Sequence, residues 1–320
     1  MYTLTLKVFL YASYILLTIL IKVFELTPKI SIVIPNRNSP VIHRVCSALL
    51  QQDYPLSAVE IFIIGVDFPQ LIPDHPAFTF IHTSETATAG FNRNVGLREA
   101  TGELILFLDS DCIPAPDWLQ THIQYQLAGH PVVGGAVTFA AESAWQTADN
   151  VSAFHDVLPY TPGGERPYLF AANFSIQRAV LYTIGSFRSE LYRAEDLEFS
   201  ARLRQHGYPL FFTPQALVFH DPPRHTFDTV WQHWVTDAPD TVRIRLEASE
   251  ILNTPRLAQF RFLYLAAAPL IALWATLRTF NNLQTIRYYL KTLPIVYLTK
   301  IAWCWGAFRH FPQTKTLTHA

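Results

Sequence analysis

Short apolar runs alternate with amphipathic segments from residue 30 onward, and this alternation limits the possible folds more than any other feature. The predicted strands are 30–34, 60–64, 78–82 and 103–108, and the predicted helices are 41–49 and 92–100. Strands that alternate with helices form a parallel sheet covered by helices on both faces. The sequence therefore predicts an α/β domain with a Rossmann-like, mostly parallel sheet, whose ligands bind outside the carboxyl ends of the strands.

Two aspartates stand directly after the fourth predicted strand. Asp109 and Asp111 are placed to hold a hard divalent cation through oxygen ligands, and such a cation can bridge the phosphates of a nucleotide. The alternative is a turn, because Asp, Ser and Pro cluster at turns and Pro114 and Pro116 follow closely. The apolar strand before the pair and the segment 113–119 after it favour the metal site.

A series of motifs, taken in order, resembles glycosyltransferase family 2. The motifs are ISIVIPNRN at 30–38, NRNVGL at 92–97, GELILFLDSD at 102–111, PDWL at 116–119, NFSIQR at 173–178, IGSF at 184–187, EDLE at 195–198, RLRQHGY at 202–208 and VFH at 218–220. Each motif alone is weak, but the ordered set is specific and covers about residues 29–222. The resemblance implies a GT-A fold, a nucleotide-diphosphate sugar donor, inversion at the transferred sugar, and Mn²⁺ or Mg²⁺ as cofactor.

The same resemblance implies roles for individual carboxylates. Asp109 would lie near the nucleotide ribose and the metal, and Asp111 would be the main metal ligand. Asp196, beside Glu195 in the predicted catalytic pair, would be the general base. Such a displacement needs a base for the acceptor hydroxyl and positive charge on the departing diphosphate. The alternative for Glu195 and Asp196 is a pair of first-turn acids that the helix dipole favours.

Other polar and aromatic residues are candidate ligand contacts. His220 ends a strand-like run and is a candidate metal ligand or phosphate contact, or simply a histidine at a strand end. The predicted donor contacts are Pro35, Asn38, Asp67, Arg93, Asn94, Asp109 and Asp111. The predicted acceptor contacts are Asn173 and Trp231. The structural alternatives are solvation of a helix start for Arg93 and Asn94, a backbone hydrogen bond for Asn173, and helix packing for Trp231.

Two departures from the family pattern bear on specificity. Family members carry paired acids after the second strand, where this chain has Gly65 and Val66, with an acid only at Asp67. The donor is therefore expected to be a UDP- or GDP-sugar without a choice between them. Processive members carry Gln-x-x-Arg-Trp before their membrane helices, but the corresponding region here, 231–235, has no Arg. The sequence therefore predicts addition of a single sugar.

Charge is distributed unevenly along the chain. The 24 basic and 25 acidic residues nearly balance, yet no acidic residue follows Glu250 while eight basic residues do. An acidic middle between apolar, weakly basic ends excludes a disordered chain and a basic nucleic-acid binder, so no nucleic-acid partner is expected. The three cysteines have no framework spacing, which argues against a disulfide scaffold.

Three apolar stretches, 8–24, 262–277 and 288–308, predict membrane helices. Alternatives are a signal peptide or in-plane helix for the first, and amphipathic surface helices for the other two. Lys300 weakens the third prediction, because a charge at mid-depth is costly. Nearby Lys and Arg residues place the large domain and the C-terminal tail on the cytoplasmic side of a cell inner (plasma) membrane.

The predicted organisation is an N-terminal anchor (1–28), a GT-A catalytic domain (29–225), amphipathic linker helices (226–258), a transmembrane hairpin (259–310) and a cytoplasmic tail (311–320). The predicted activity is membrane-bound transfer of one sugar to a lipid-linked or glycan acceptor in polysaccharide or glycolipid synthesis for the cell envelope, with membrane lipid as a further partner. One alternative is a polyprenyl-phosphate sugar synthase. Another is a non-catalytic, membrane-anchored scaffold that binds nucleotide or glycan.

Overall fold

A computed structural model describes residues 28–312 of the chain. The strands are β1 (Ile30–Arg37), β2 (Val59–Val66), β3 (Phe78–His82), β4 (Leu104–Leu108), β5 (Cys112–Pro114), β6 (Val132–Thr138), β7 (Gly164–Glu165), β8 (Asn173–Gln177) and β9 (Phe211–His220). The helices are α1 (Ile42–Leu50), α2 (Ala89–Glu99), α3 (Trp118–Leu127), α4 (Ala144–Phe154), α5 (Arg178–Ile184), α6 (Glu195–Gln205), α7 (Phe227–Glu247), α8 (Leu263–Ala266), α9 (Ala268–Thr279), α10 (Leu283–Tyr289) and α11 (Leu293–Arg309). Short 3₁₀ turns lie at Leu56–Ala58, His155–Val157, Arg256–Gln259 and Leu290–Thr292.

The strands form one mixed sheet in the order β3-β2-β1-β4-β8-β6-β9-β5, with β7 beside β9. The first four strands in that order are parallel, as predicted. β8 runs antiparallel to both β4 and β6, and β5 and β7 run antiparallel to β9. The sheet is therefore mixed: six strands run in one direction, and β5, β7 and β8 run the other way. The prediction of a mostly parallel sheet holds, but the reversed β8 at its centre was not foreseen, because long-range pairing sets its direction.

The centre of the sheet is apolar on both faces. All five residues of β4 are buried, as are the first five residues of β1. Ile42, Val45 and Leu49 of α1 pack into the same core. Burying a side chain of this size stabilises a fold by roughly 1.5–3 kcal/mol, so the sheet is a rigid support for the loops at its carboxyl end.

The C-terminal apolar stretches pack onto the domain as separate helices. α9 has 12 residues and α11 has 17. Between residues 28 and 312, no helix combines the length and hydrophobicity that a membrane span requires. The predicted transmembrane hairpin is therefore wrong, and so is the inner-membrane location that rested on such spans. The predicted N-terminal anchor stretch, 8–24, and most of the predicted tail lie outside the described residues.

Contacts of α11 explain why an apolar sequence need not mean a membrane helix. Gly306 lies so close to α7 that a Cβ atom there would come 2.2 Å from the carbonyl oxygen of Val235. The partly buried Lys300 amine donates to the Ser152 carbonyl at 3.0 Å and lies 4.4 Å from the centre of the Trp234 ring. Burial lowers the pKa of Lys300 to about 8. The apolar residues of α11 thus pack largely against protein.

Candidate active site

The loop that carries Asp109 and Asp111 is fixed from two sides. It joins β4 to β5 at the carboxyl end of β4. Ser39, just after β1, donates its hydroxyl to the Ser110 carbonyl at 2.7 Å. On the other side, the backbone N–H of Asp221, just after β9, donates to the Asp111 carbonyl at 2.9 Å. The loop is therefore held between the ends of two strands that are far apart in sequence.

Three potential metal ligands, Asp111, Cys112 and His220, lie at this loop. We call Asp111 and His220, with their neighbours Asn150 and Arg224, the metal corner. Ligand atoms of Asp111, Cys112 and His220 lie within 4.8 Å of one another. His220 Nε2 is 3.5 Å from Asp111 Oδ2, while His220 Nδ1 pairs with Asn150 Oδ1 at 2.5 Å. Among the described residues, this group contains Cys112 in the place where the sequence predicts Asp109.

The chemistry of the metal corner fits a hard divalent cation. His220 Nδ1 pairs with Asn150 Oδ1, and Nε2 lies 3.5 Å from Asp111 Oδ2, so a nitrogen and an oxygen ligand come together at one point that suits a shared cation. Burial opposes ionisation of Asp111, but His220 outweighs it and holds the pKa of Asp111 at about 2. Burial raises the pKa of the Cys112 thiol well above its usual value, so the thiol stays protonated. Asp111 and His220 are the residues that would hold Mn²⁺ or Mg²⁺.

A second cluster surrounds one buried arginine, and we call Arg93, Asp109, Glu195 and Asp196 the base corner. The Arg93 side chain is only 2% exposed. Its Nη1 donates to Glu195 Oε1 at 2.5 Å and its Nη2 donates to Asp109 Oδ1 at 2.6 Å. Arg93 therefore uses both terminal nitrogens on carboxylates, and it lies beneath the site that the sequence expected it to line.

Asp196 has the properties of a proton acceptor at neutral pH. It lies in the first turn of α6, where its carboxylate accepts the N–H groups of Ala171 at 3.3 Å and Leu197 at 2.7 Å. Burial and the neighbouring charge of Glu195 raise the pKa of Asp196 to about 7, against the opposing effect of Arg93. A carboxylate with that pKa is matched to general-base work near pH 7.

The backbone before Asp196 is in an unusual conformation. Ala194, at the N-cap of α6, has φ +59°, in the left-handed region that costs an L-residue roughly 1–2 kcal/mol. Such strain persists only where the surroundings impose it, and it clusters at functional sites. This conformation starts α6 abruptly, so that the first two residues of the helix, Glu195 and Asp196, both belong to the base corner.

The donor-side residues that the sequence singled out organise loops. Both carboxylate oxygens of Asp67 accept backbone N–H groups, from Leu71 at 3.1 Å and Ile72 at 2.8 Å. Asn38 has φ +54°, and its side chain accepts the Phe68 N–H at 2.8 Å. At Gly65 a Cβ atom would lie 1.8 Å from a backbone oxygen, so this backbone has no room for the acid that family members carry after the second strand.

Two further predicted donor residues lie in regular structure. Pro35 is the sixth residue of β1 and pairs in register with Ile64 of β2. Asn94 donates to the Phe187 carbonyl at 2.8 Å and accepts the Phe187 N–H at 2.9 Å. This reciprocal pair joins α2 to the segment before α6 and favours a structural role for Asn94.

The two predicted acceptor contacts are placed by packing. Asn173 is 1% exposed, and its amide nitrogen donates to the carbonyls of Ala136 and Ala216 at 2.9 and 2.8 Å. Its carbonyl oxygen accepts the Trp118 indole N–H at 2.8 Å. Trp231 packs against Phe227 and faces α11. The contacts of both residues favour the structural alternatives.

A buried network beside the metal corner was not foreseen from the sequence. Asp149, on α4, accepts from Arg224 Nε at 2.6 Å, His233 Nδ1 at 2.8 Å and Trp234 Nε1 at 2.8 Å. Its partners come from the turn after β9 and from α7, more than 70 residues away along the chain. The one available signal was a basic residue, Arg224, that follows His220 within four positions.

Comparison with known proteins identifies the family of this chain. The profile described as Glycosyl transferase family 2 matches residues 31–194, which is just over half of the chain. The chain belongs to glycosyltransferase family 2. Glycosyltransferase AglE of Haloferax volcanii is 23% identical over 203 residues, which cover 60% of this chain and 67% of AglE. The pre-mycofactocin glycosyltransferase of Mycobacterium tuberculosis is 24% identical over 211 residues, covering 60% of this chain but 42% of that protein.

Solved structures share the fold of this family 2 glycosyltransferase. The mannosyltransferase PcManGT from Pyrobaculum calidifontis, in complex with GDP-Man and Mn²⁺, superposes with a TM-score of 0.59 at 18% identity over 88% of this chain and 87% of that one. S. aureus TarS 1–349 superposes with a TM-score of 0.51 at 16% identity over 90% and 93% of the two chains. The GT-A-like architecture implied by the sequence motifs is therefore confirmed.

Proposed function

We propose that the chain is a metal-dependent, inverting glycosyltransferase that moves one sugar from a nucleotide-diphosphate sugar to an acceptor hydroxyl. One observation carries this proposal: the pair Asp111 and His220, with Nε2 and Oδ2 3.5 Å apart, adjoins a cluster in which Arg93 joins Asp109 to Glu195, the neighbour of Asp196. Asp109 links the two clusters, because it lies in the same loop as Asp111 and accepts from Arg93 of the base corner. Asp111 suits cation binding and Asp196 suits proton transfer.

The reaction divides between the two corners. A divalent cation bound by Asp111 and His220 would neutralise charge on the donor diphosphate. Asp196 takes the proton of the acceptor hydroxyl while that oxygen attacks the anomeric carbon from the face opposite the diphosphate. The bond to the diphosphate oxygen breaks in the same step, so the configuration inverts. Arg93 holds Asp109 and Glu195 in place and keeps their charges compensated beside the base.

The donor is proposed to be a UDP- or GDP-sugar. PcManGT, which shares the fold, was solved with GDP-Man and Mn²⁺, and this supports a nucleotide-sugar donor and a divalent cation here. The loops after β1 and β2, which contain Asn38 and Asp67, border the expected nucleotide position. Since Gly65 leaves no room for an acid, base recognition would rest on loop backbone and on whatever Asp67 adds.

A lipid-linked acceptor is the acceptor class that the surface favours. Large apolar side chains on α9 and α10 are exposed: Leu270 by 70%, Trp274 by 63% and Leu283 by 82%. No acidic residue follows Glu250, while Arg278 and Arg287 belong to the same two helices. An apolar surface with basic residues and no acids suits a lipid bearing anionic groups, such as a phosphate-linked glycan carrier. We place the reaction accordingly in polysaccharide or glycolipid assembly.

A donor screen with defined acceptors tests the function. Release of nucleotide would be measured across UDP- and GDP-sugars with Mn²⁺, Mg²⁺ or EDTA, and transfer would be measured to lipid-linked and to free glycan acceptors. Metal-dependent transfer to a lipid-linked hydroxyl is the expected result. Equal transfer to a free glycan would overturn the lipid assignment. An acid-labile sugar phosphate product would indicate a polyprenyl-phosphate sugar synthase, and donor binding without turnover would indicate a scaffold.

A further inference from the structure

We propose that Arg224 is a catalytic residue that binds the departing diphosphate. This inference rests on the proposed function, because it assigns a group to one of its steps. Negative charge develops on the leaving diphosphate in the proposed reaction, and both terminal nitrogens of Arg93 already donate to carboxylates. Two arginines lie at this turn, and Arg224, which is 22% exposed, is the more buried, whereas Arg44 is 47% exposed.

The turn that carries Arg224 is pinned to the metal corner. It follows His220 directly, and the N–H of Asp221 donates to the Asp111 carbonyl at 2.9 Å. The Pro222 carbonyl accepts both the side chain of Gln146 at 2.9 Å and the N–H of Arg224 at 2.8 Å. The backbone of Arg224 is thus fixed four residues after His220, in a turn that is hydrogen-bonded to Asp111.

The guanidinium of Arg224 is anchored at one nitrogen. Nε donates to Asp149, which is 1% exposed and is also held by His233 and Trp234. Burial opposes ionisation of Asp149, but His233 and Arg224 outweigh it and hold the pKa of Asp149 well below its usual value. Asp149 is therefore a permanent anion, and it fixes the plane of the guanidinium.

The other two nitrogens remain available. Over residues 28–312, Nη1 and Nη2 of Arg224 have no hydrogen-bond partner, and the side chain keeps 22% of its surface exposed. Arg224 stands three residues after Asp221, whose N–H donates to the Asp111 carbonyl, so the guanidinium belongs to the turn that is hydrogen-bonded to the proposed metal ligand. A planar pair of free donors beside a cation site matches the geometry of a diphosphate.

In this proposal, Nη1 and Nη2 of Arg224 donate to the diphosphate, on which negative charge develops during the reaction. As the bond between the anomeric carbon and the diphosphate oxygen breaks, that oxygen keeps the electron pair and gains negative charge. The hydrogen bonds from Nη1 and Nη2 strengthen as this charge grows, and no proton leaves Arg224. Removing one donor of this kind from an enzyme typically costs roughly 10²–10³-fold in kcat.

Pyrophosphate binding tests this role without needing the true donor. Calorimetry would compare inorganic pyrophosphate with orthophosphate, each with Mn²⁺, on the wild type and on Arg224→Ala and Arg224→Lys. We expect Arg224→Ala to weaken pyrophosphate binding by about tenfold or more, and to lower kcat by roughly 10²–10³-fold. Arg224→Lys keeps the positive charge but loses the paired donors of the guanidinium, so its pyrophosphate affinity and kcat should lie between those of the wild type and Arg224→Ala. It also carries the test if the alanine variant does not fold.

Arg44→Ala is the matched control. Arg44 lies at the same turn, where it forms an ion pair with Asp221 at 2.5 Å, but its side chain is 47% exposed and serves no step of the reaction. Its loss should leave pyrophosphate affinity within about twofold of the wild type. Unchanged pyrophosphate affinity and kcat in Arg224→Ala would overturn the inference. Absence of transfer in the wild type would instead refute the proposed function.

Discussion

The base corner and the metal corner adjoin, yet their aspartates have opposite acid–base properties. In the base corner, Asp109, Glu195 and Asp196 share the one cation of Arg93, so burial and mutual repulsion raise the pKa values of Asp109 and Asp196. In the metal corner, Asp111 faces His220 and Arg224, and its pKa is about 2. The ratio of carboxylates to cations, and not burial alone, therefore separates a proton acceptor from a permanent anion.

Removing the base should have the largest effect. Asp196→Asn keeps the shape of the side chain but abolishes proton uptake, so we expect kcat to fall by roughly 10²–10⁴-fold. The assay is steady-state transfer at saturating donor. Asp228→Asn is the matched control, because Asp228 is likewise the second residue of its helix but is exposed away from the base corner. Transfer at the wild-type rate in Asp196→Asn would remove Asp196 from the mechanism.

Removing the proposed metal ligand comes next. Asp111→Ala should lower kcat by about 10³-fold, corresponding to several kcal/mol of charge stabilisation, and should abolish the response to added Mn²⁺. The measurement is transfer rate against Mn²⁺ concentration. Asp117→Ala serves as control, since Asp117 is an exposed acid six residues further on whose side chain caps nothing. A normal Mn²⁺ response in Asp111→Ala would show that the cation binds elsewhere.

The pH dependence should show the crowding of the base corner. Because Asp196 must be ionised and its pKa is about 7, kcat/KM should fall about tenfold per pH unit below that value. Glu195→Gln removes the neighbouring negative charge, which lowers the pKa of Asp196 and moves this decline to lower pH. A pH–rate profile of both proteins checks the direction of the shift. An unchanged profile would show that the charge of Glu195 does not influence the pKa of Asp196.

The smallest effects concern stability, and their signs should differ between the corners. Because the pKa of Asp196 is raised, ionising this carboxyl destabilises the folded state. In metal-free protein the loss of stability begins above the pKa of the unfolded chain and is complete above about pH 7, so it is fully present at pH 8. Asp196→Asn should therefore raise Tm, by about 2 °C for a gain on the order of 1 kcal/mol, and the gain should shrink at pH 5.

Asp111 has the opposite linkage. Because the pKa of Asp111 is lowered, ionising this carboxyl stabilises the folded state at any pH above the pKa of the unfolded chain. This stabilisation is lost as the pH falls toward about 2. Asp111→Asn should therefore lower Tm at pH 8, by about 2 °C. Thermal melts of both variants in EDTA provide the check, and shifts of the same sign would show that the two corners do not differ in this way.

Local pattern predicted the strands well but not all of their pairings. The strand at Phe78–His82 matches its prediction at both ends, because a short apolar run defines it locally. The direction of β8 depends on its pairing with β4, in which Leu104 lies opposite Gln177, and no local pattern encodes that.

The site residues that lie within family motifs could be predicted from the sequence. Asp109, Asp111 and Asp196 do lie in two adjoining clusters, although their roles remain predictions. The contacts of Arg93 were not predictable, because Asp109 and Glu195 lie 16 and 102 residues away in sequence. Asn173 shows the opposite case, since a polar residue within a family motif proves to be a core hydrogen-bonding residue.

The C-terminal helices show a limit of composition. An apolar run with one lysine fits a membrane helix and a packed protein helix equally well. The difference lies in contacts that composition does not contain, such as Gly306 against Val235 and Lys300 against Ser152.

Donor binding in Asp196→Asn and Asp111→Asn tests most directly whether the first residue is the base and the second is the metal ligand. Calorimetric titration with the donor found in the screen, with and without Mn²⁺, would be paired with a transfer assay on the same samples. We expect Asp196→Asn to bind donor like the wild type, in a Mn²⁺-dependent way, and to transfer sugar roughly 10²–10⁴-fold more slowly. Asp111→Asn should lose Mn²⁺-dependent binding. Loss of donor binding in Asp196→Asn, or wild-type binding in Asp111→Asn, would contradict these roles.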